Sequence, residues 1–161
     1  VNTACSALQI LSAACLGIFA GAMLTEGFVL VPFWRSLAPA DFLAWYAAND
    51  RRLLAYFSPV TTLTAVVALL TAVVSVWTGS PGRWFAVTAS ALILVTVAMF
   101  FVYFEAANAG FSAASLPAAD VPAELARWAT WHAVRTVLSL VALAAGLAAL
   151  VAGPLALSRA T

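Results

Sequence analysis

Lysine is absent from this 161-residue chain, histidine occurs once, at His132, and charged residues of both signs amount to 8%. Soluble domains carry about 25%, so these residues do not make a water-facing surface. Seven arginines against six carboxylates leave a formal charge of +1. No basic cluster is long enough to track phosphates, which excludes nucleic acid as a partner. The two cysteines, Cys5 and Cys15, lie roughly 15 Å apart if they share one helix. That exceeds the reach of a disulfide, and both read as small apolar fillers. No Cys-x-x-Cys pair, Gly-rich phosphate loop, Ser/His/Asp order or haem-type histidine pair is present, so no familiar cofactor or triad motif offers itself.

What the chain has is hydrophobicity: 65% of its residues are apolar and its mean hydropathy is +1.06. Segments 4–31, 59–77, 84–104 and 122–153 each offer the roughly 20 apolar residues needed to cross a hydrocarbon core. The expected fold is therefore all-α, a single integral membrane domain over 1–161 with four transmembrane helices in a bundle and the lipid bilayer as its first partner. The opening run lacks a basic leader and is longer than a signal-peptide core, so it reads as a retained span. Pro32 ends it, and Ser58-Pro59 opens the second as an N-cap with proline at N1. Residues 78–82 (Thr-Gly-Ser-Pro-Gly) make a tight turn. The fourth helix starts near Asp120 and Pro122 and would run about 48 Å to Gly153. Its first turns, with Trp128, Trp131 and His132, are expected to project into the membrane interface.

The two ends of such a bundle differ. One holds the short turn and both termini; the other holds the connections 32–58 and 105–121. Within the first of these, Asp41 is a candidate N-cap for an amphipathic interfacial helix between helices 1 and 2, running from Phe42 to Arg52 with Trp45 and Tyr46. Function is expected at this elaborated end. Arg35, Arg51, Arg52 and Arg127 there, against Arg83 and Arg159, favour a cytoplasmic position for it. Ala13, Gly17, Gly21 and Thr25 form a small-residue stripe suited to close helix approach. It serves packing within the bundle, assembly with a second copy or a larger membrane complex, or an opening for a ligand tail. Glu26, Ser36, Leu37 and Asp41 recur as Glu105, Ser115, Leu116 and Asp120, either a parallel repeat of two spans or a chance match in a chain so rich in alanine and leucine.

Polar residues in such a chain stand out. Trp128, His132, Arg135 and Ser139 are spaced i, i+4, i+7 and i+11, on one helix face. A charge at membrane depth faces protein, water or a partner and marks a functional position by default. Glu26, at the end of the first span, and Glu105, closing the third, are the candidate counter-ions for Arg135. His132 is either a hydrogen-bonded interfacial residue or a general base. Arg135 either pairs structurally or holds an anionic oxygen of a substrate. Asn108 either orients a substrate or caps helix three. Glu26, Glu105 and His132 together would imitate a non-haem iron set. However, no helix carries a Glu-x-x-His pair and Arg135 opposes a cation, so no metal ligands are assigned.

Gly21 with Glu26, then Val31-Pro32-Phe33-Trp34, Phe57-Ser58-Pro59 opening helix two, Asn108, and Trp128, Trp131, His132 and Arg135 opening helix four span most of the chain. In these residues it resembles the anthrone-oxygenase-like family of small four-helix membrane proteins. The resemblance implies a site of Glu26, Asn108, Trp128, His132 and Arg135. It also implies a small oxygenase or redox enzyme acting on a lipophilic aromatic, anthrone- or quinone-like, without a tightly held cofactor. In that reading His132 is the base and Arg135 the anion stabiliser. Glu26 tunes them, Asn108 donates a hydrogen bond, and Trp34, Trp128 and Trp131 stack on the ring. Glu105 is added as a further substrate contact. The rival expectations are a non-catalytic accessory subunit, which requires a filled bundle, and a carrier of a lipid-soluble molecule, which requires a laterally open cavity. The expected location is a multi-pass position in a bacterial cytoplasmic membrane.

Overall fold

The computed structural model describes residues 3–158, with side chains over 3–152; Arg159 lies outside the described residues. Four helices make up the bundle. We number them α1 (Thr3–Ser36), α2 (Pro39–Trp77), α3 (Arg83–Ser112) and α4 (Val121–Ser158). Each packs on its chain neighbours, and α4 closes the ring by packing on α1. All four are long and apolar enough to cross a membrane, so the protein is a multi-pass helical bundle suited to a lipid bilayer.

The helices are longer than a bilayer requires. At 34, 39 and 30 residues for α1, α2 and α3, they run roughly 45–58 Å against a hydrocarbon core of about 30 Å. This corrects two expectations. The aromatic segment from Phe42 to Arg52 is helical, but it is the first half of α2 and not a separate interfacial helix. Ser58 and Pro59 do not start a helix: Pro59 sits inside α2, whose N-cap is Ala38 with Pro39 in the first turn, and Asp41 lies within that turn. A proline in mid-helix costs one ladder hydrogen bond, and packing of both flanks outweighs it. Only Leu37 and Ala38 link α1 to α2.

A third correction concerns α4. Trp128 and His132 are 1% and 2% exposed, so its first turns do not project alone. The extended ends of α1, α2 and α3 rise beside it and form an upper storey. The upper core contains Trp34, Phe42, Tyr46, Phe104, Phe111 and Trp128; the lower one contains Leu16, Phe19, Met23, Ile93 and Ala142. In the lower storey α1 and α2 are joined by side-chain hydroxyls. Thr64 donates to the Cys15 carbonyl at 3.2 Å and Thr71 to the Leu8 carbonyl at 3.1 Å, a common adhesive where apolar surface gives no drive to associate.

Close approach falls on glycines outside the predicted stripe. A Cβ on Gly82 would stand 2.8 Å from the Ala149 Cα, and one on Gly146 would stand 2.6 Å from Leu16 Cδ1. Gly17 meets Leu143 Cδ1 only at an ordinary 4.0 Å and Gly21 has nothing within 4 Å, so the stripe's glycines are not where the helices approach most closely. The turn after α2 places Gly79 at φ +64°, a left-handed conformation that favours glycine.

The element order repeats. Each of α1 and α3 contains one π-helical turn, Glu26–Leu30 and Phe100–Phe104, followed by a short helical segment and then a helix of 39 or 38 residues. The expected pairing of Glu26 with Glu105 is offset, because Glu26 begins its π turn whereas Glu105 follows the second.

Candidate functional site

Pro32 explains the first π turn. Lacking an N–H, it cannot donate to Phe28, and its ring would collide with that carbonyl in an unbroken helix. The wider turn just before it, closed by the Val31 N–H on the Glu26 carbonyl, absorbs the misfit. Glu26 is the first residue of this turn and is 5% exposed. No proline accompanies the second π turn.

Arg135 Nη2 donates to Glu26 Oε2 at 2.9 Å. His132 Nδ1 lies 3.4 Å from the same oxygen and 3.2 Å from Arg135 Nη2. The other ring nitrogen, Nε2, is 3.0 Å from the Met23 carbonyl. A carbonyl only accepts, so that contact requires the proton on Nε2 and leaves the Nδ1 lone pair to accept from Arg135. Both imidazole nitrogens are thereby engaged. Thr136 directs its hydroxyl to the His132 carbonyl at 2.9 Å and also stands 3.3 Å from Nε2.

Aromatic rings hold this group in place. Trp128 stacks on His132 with centroids 5.1 Å apart and planes at 13°. The Arg135 guanidinium lies over Phe104, 4.2 Å from its centroid, a cation–π contact in a desolvated setting. Trp128 Nε1 donates to Asn108 Oδ1 at 2.9 Å. The indole can only donate, so the Asn108 amide turns its NH2 away from it.

A cavity of about 430 Å³ adjoins the group, within the range of small-molecule sites. Phe19, Met23, Phe57, Ala65, Val97 and Phe100 wall its apolar part, and Glu26, Tyr46, Asn108, Trp128 and Arg135 its polar end. It opens between α2 and α3, where lining residues Leu54 and Phe101 are 59% and 66% exposed. The irregularities of α1, α2 and α3 all border it: Glu26 begins the first π turn, Ser58 and Thr61 flank Pro59, and Phe100 and Phe101 belong to the second π turn.

The predicted residues divide into three groups. Glu26, Asn108, Trp128 and Arg135 converge at the polar end of the cavity, and Glu105 borders it from an exposed position. His132 touches Glu26 and Arg135 but does not line the cavity. Trp34 and Trp131 do not line it either. Trp34 packs edge-on against Trp128 at 5.3 Å, its buried Nε1 unpartnered. Trp131 stacks on Tyr103 at 5.0 Å. Glu105 does not join Glu26 and His132, and among the described residues no three His, Cys, Asp or Glu side chains converge.

Sequence reasoning missed Tyr46, Asp50, Leu53, Phe57 and Thr61. Their spacing of four, three, four and four carries one helical face straight through Ser58-Pro59, and that periodicity was the available signal.

These features define a four-helix membrane bundle with a ligand-sized cavity and a buried Glu–Arg–His group at one end. No family model matches the chain, and no curated protein or solved structure matches it either.

Proposed function

We propose that the protein is a small membrane oxygenase or related redox enzyme, taking a lipophilic aromatic of the anthrone or quinone kind. The supporting observation is the cavity itself, apolar along its walls, open between helices, and ending on Glu26, Arg135 and Asn108. Nonpolar aromatics partition into bilayers, so a lateral opening admits them without passage through water. Glu26 Oε2 pairs with Arg135 and also faces the His132 ring, which leaves Oε1 as the oxygen to accept a proton. We therefore move the base from His132 to Glu26 and make His132 the residue that positions Arg135.

The reaction balances with dioxygen as the only oxidant. The anthrone gives its C–H proton to Glu26 while Arg135, losing its counter-charge, holds the enolate oxygen. The enolate passes electrons to dioxygen, a carbon–oxygen bond forms, and the resulting peroxide anion regains the proton from Glu26 to become the hydroperoxide. Loss of water leaves the quinone, so anthrone plus O2 gives anthraquinone plus H2O. Asn108 NH2 supplies a second donor to the oxyanion.

The test is oxygen uptake with a model anthrone by purified protein in detergent. Glu26→Gln should lower turnover by about a hundredfold or more. Wild-type uptake no higher than in empty micelles would overturn the oxygenase reading. A carrier of such molecules is the second reading, favoured by the lateral opening and by the full engagement of both His132 nitrogens. It predicts anthrone binding without uptake. The mutual pairing of Glu26, His132 and Arg135 is what an accessory subunit requires, but the open cavity is not.

A further inference from the structure

The charge around the cavity indicates which ligands it admits, an inference that rests on the ligand-handling reading above. Its charged lining residues are Glu26, Asp50, Glu105 and Arg135. Glu26 already neutralises Arg135 at 2.9 Å. Neither Asp50 nor Glu105 has an ion-pair partner among the described residues. Asp50 is half-buried and accepts the Arg51 backbone N–H at 2.6 Å, while Glu105 is exposed at the opening. The neighbouring cations Arg51 and Arg52 are exposed and do not line the cavity. Two carboxylates therefore stand uncompensated beside a low-dielectric slot, which focuses their field inward.

We infer that Asp50 and Glu105 make this cavity a filter that rejects anionic amphiphiles and selects neutral, hydroxyl-bearing aromatics. The two carboxylates repel fatty-acid-like or carboxylated ligands, yet each accepts a hydrogen bond from a phenol or alcohol. A cationic head is attracted to them but must leave water to reach the apolar walls, which disfavours it. The ligand thus enters as a neutral acid. Proton transfer to Glu26 then places the new negative charge on the ligand beside Arg135, and the total charge of the cavity stays unchanged. A substrate carrying a permanent negative charge has no such place, because Glu26 already occupies the guanidinium.

The experiment uses three anthracenes that share one ring system: 9-anthracenemethanol, 9-anthracenecarboxylate and 9-anthracenylmethylammonium. Binding to the purified protein in a neutral maltoside detergent is read by fluorescence polarisation. The alcohol should bind at least about tenfold more tightly than the carboxylate at low salt, with the gap narrowing as salt screens Glu105 and, less strongly, half-buried Asp50. In Asp50→Asn/Glu105→Gln the ratio should fall to about threefold or less. A carboxylate bound as tightly as the alcohol would overturn the filter, as would a wild-type gap that ignores both salt and the double substitution. An ammonium bound more than about tenfold better than the alcohol would overturn the selection of neutral ligands. If none of the three binds, the ligand-handling reading itself fails, a result distinct from loss of discrimination. The salt series on the wild type needs no variant and stands even if the double substitution misfolds.

Discussion

Replacing Glu26 by leucine strips a buried guanidinium of its counter-ion, and the cost can be worked from the geometry. Arg135 Nη2 loses its acceptor at 2.9 Å, and Nε is already buried without a hydrogen-bond partner. Breaking a buried pair by removing one partner costs about 3–5 kcal/mol, because the remaining charge is left uncompensated. Two features place Arg135 toward the lower end. Its side chain is 12% exposed on the cavity, and the Phe104 ring beneath it at 4.2 Å remains. We expect Glu26→Leu to lose about 3 kcal/mol, roughly two orders of magnitude in the folded-to-unfolded ratio. Removing both charges in Glu26→Leu/Arg135→Leu should restore most of this, because buried ion pairs replaced by apolar residues are often neutral to stability. Equilibrium unfolding in mixed micelles at neutral pH, run as a double-mutant cycle, measures the coupling. A loss below about 1 kcal/mol for Glu26→Leu, or strictly additive single substitutions, would refute the claim that this pair is buried and mutually dependent.

Two further substitutions probe the scaffold and the polar end of the cavity. Gly82→Ala should cost about 3 kcal/mol, at the upper end for overpacking, because the new methyl meets the Ala149 backbone and not a side chain that can rotate away; the same unfolding assay reads it, and a wild-type midpoint would contradict the close α3–α4 approach. Trp128→Phe keeps a ring against His132 but deletes the Nε1 donor to Asn108. It should cost about 1 kcal/mol in stability and weaken anthrone binding several-fold by freeing the amide, and unaltered binding would remove Asn108 from the site.

Much of the architecture was legible because bilayer physics leaves few choices. A chain with 8% charge and four long apolar runs must satisfy its backbone inside helices, and the short turn at Thr78–Gly82 forces α2 and α3 side by side. The spacing of Trp128, His132 and Arg135 correctly placed them on one face, and the cost of burying Arg135 correctly demanded a carboxylate. Helix ends were less legible. Local rules make Pro32 and Ser58-Pro59 helix boundaries, yet the first is absorbed by a π turn and the second lies within α2. Local propensity is a weak prior when both flanks of a proline are held by tertiary packing.

The sequence by itself determined the class, the number of spans, the polar end of the bundle and the need for a partner to Arg135, since each follows from the free energy of placing residues in lipid. Only the tertiary structure decided that the partner is Glu26 and not Glu105, that Trp128 and Arg135 face the cavity while His132 stands behind them, and that Asp50 joins the lining. Helical periodicity states which side chains share a face but not how far each helix is rotated toward its neighbours. That rotation is set by contacts distant in sequence, Gly82 on Ala149 and Gly146 on Leu16 among them, and by π turns that change the helical register just before the site.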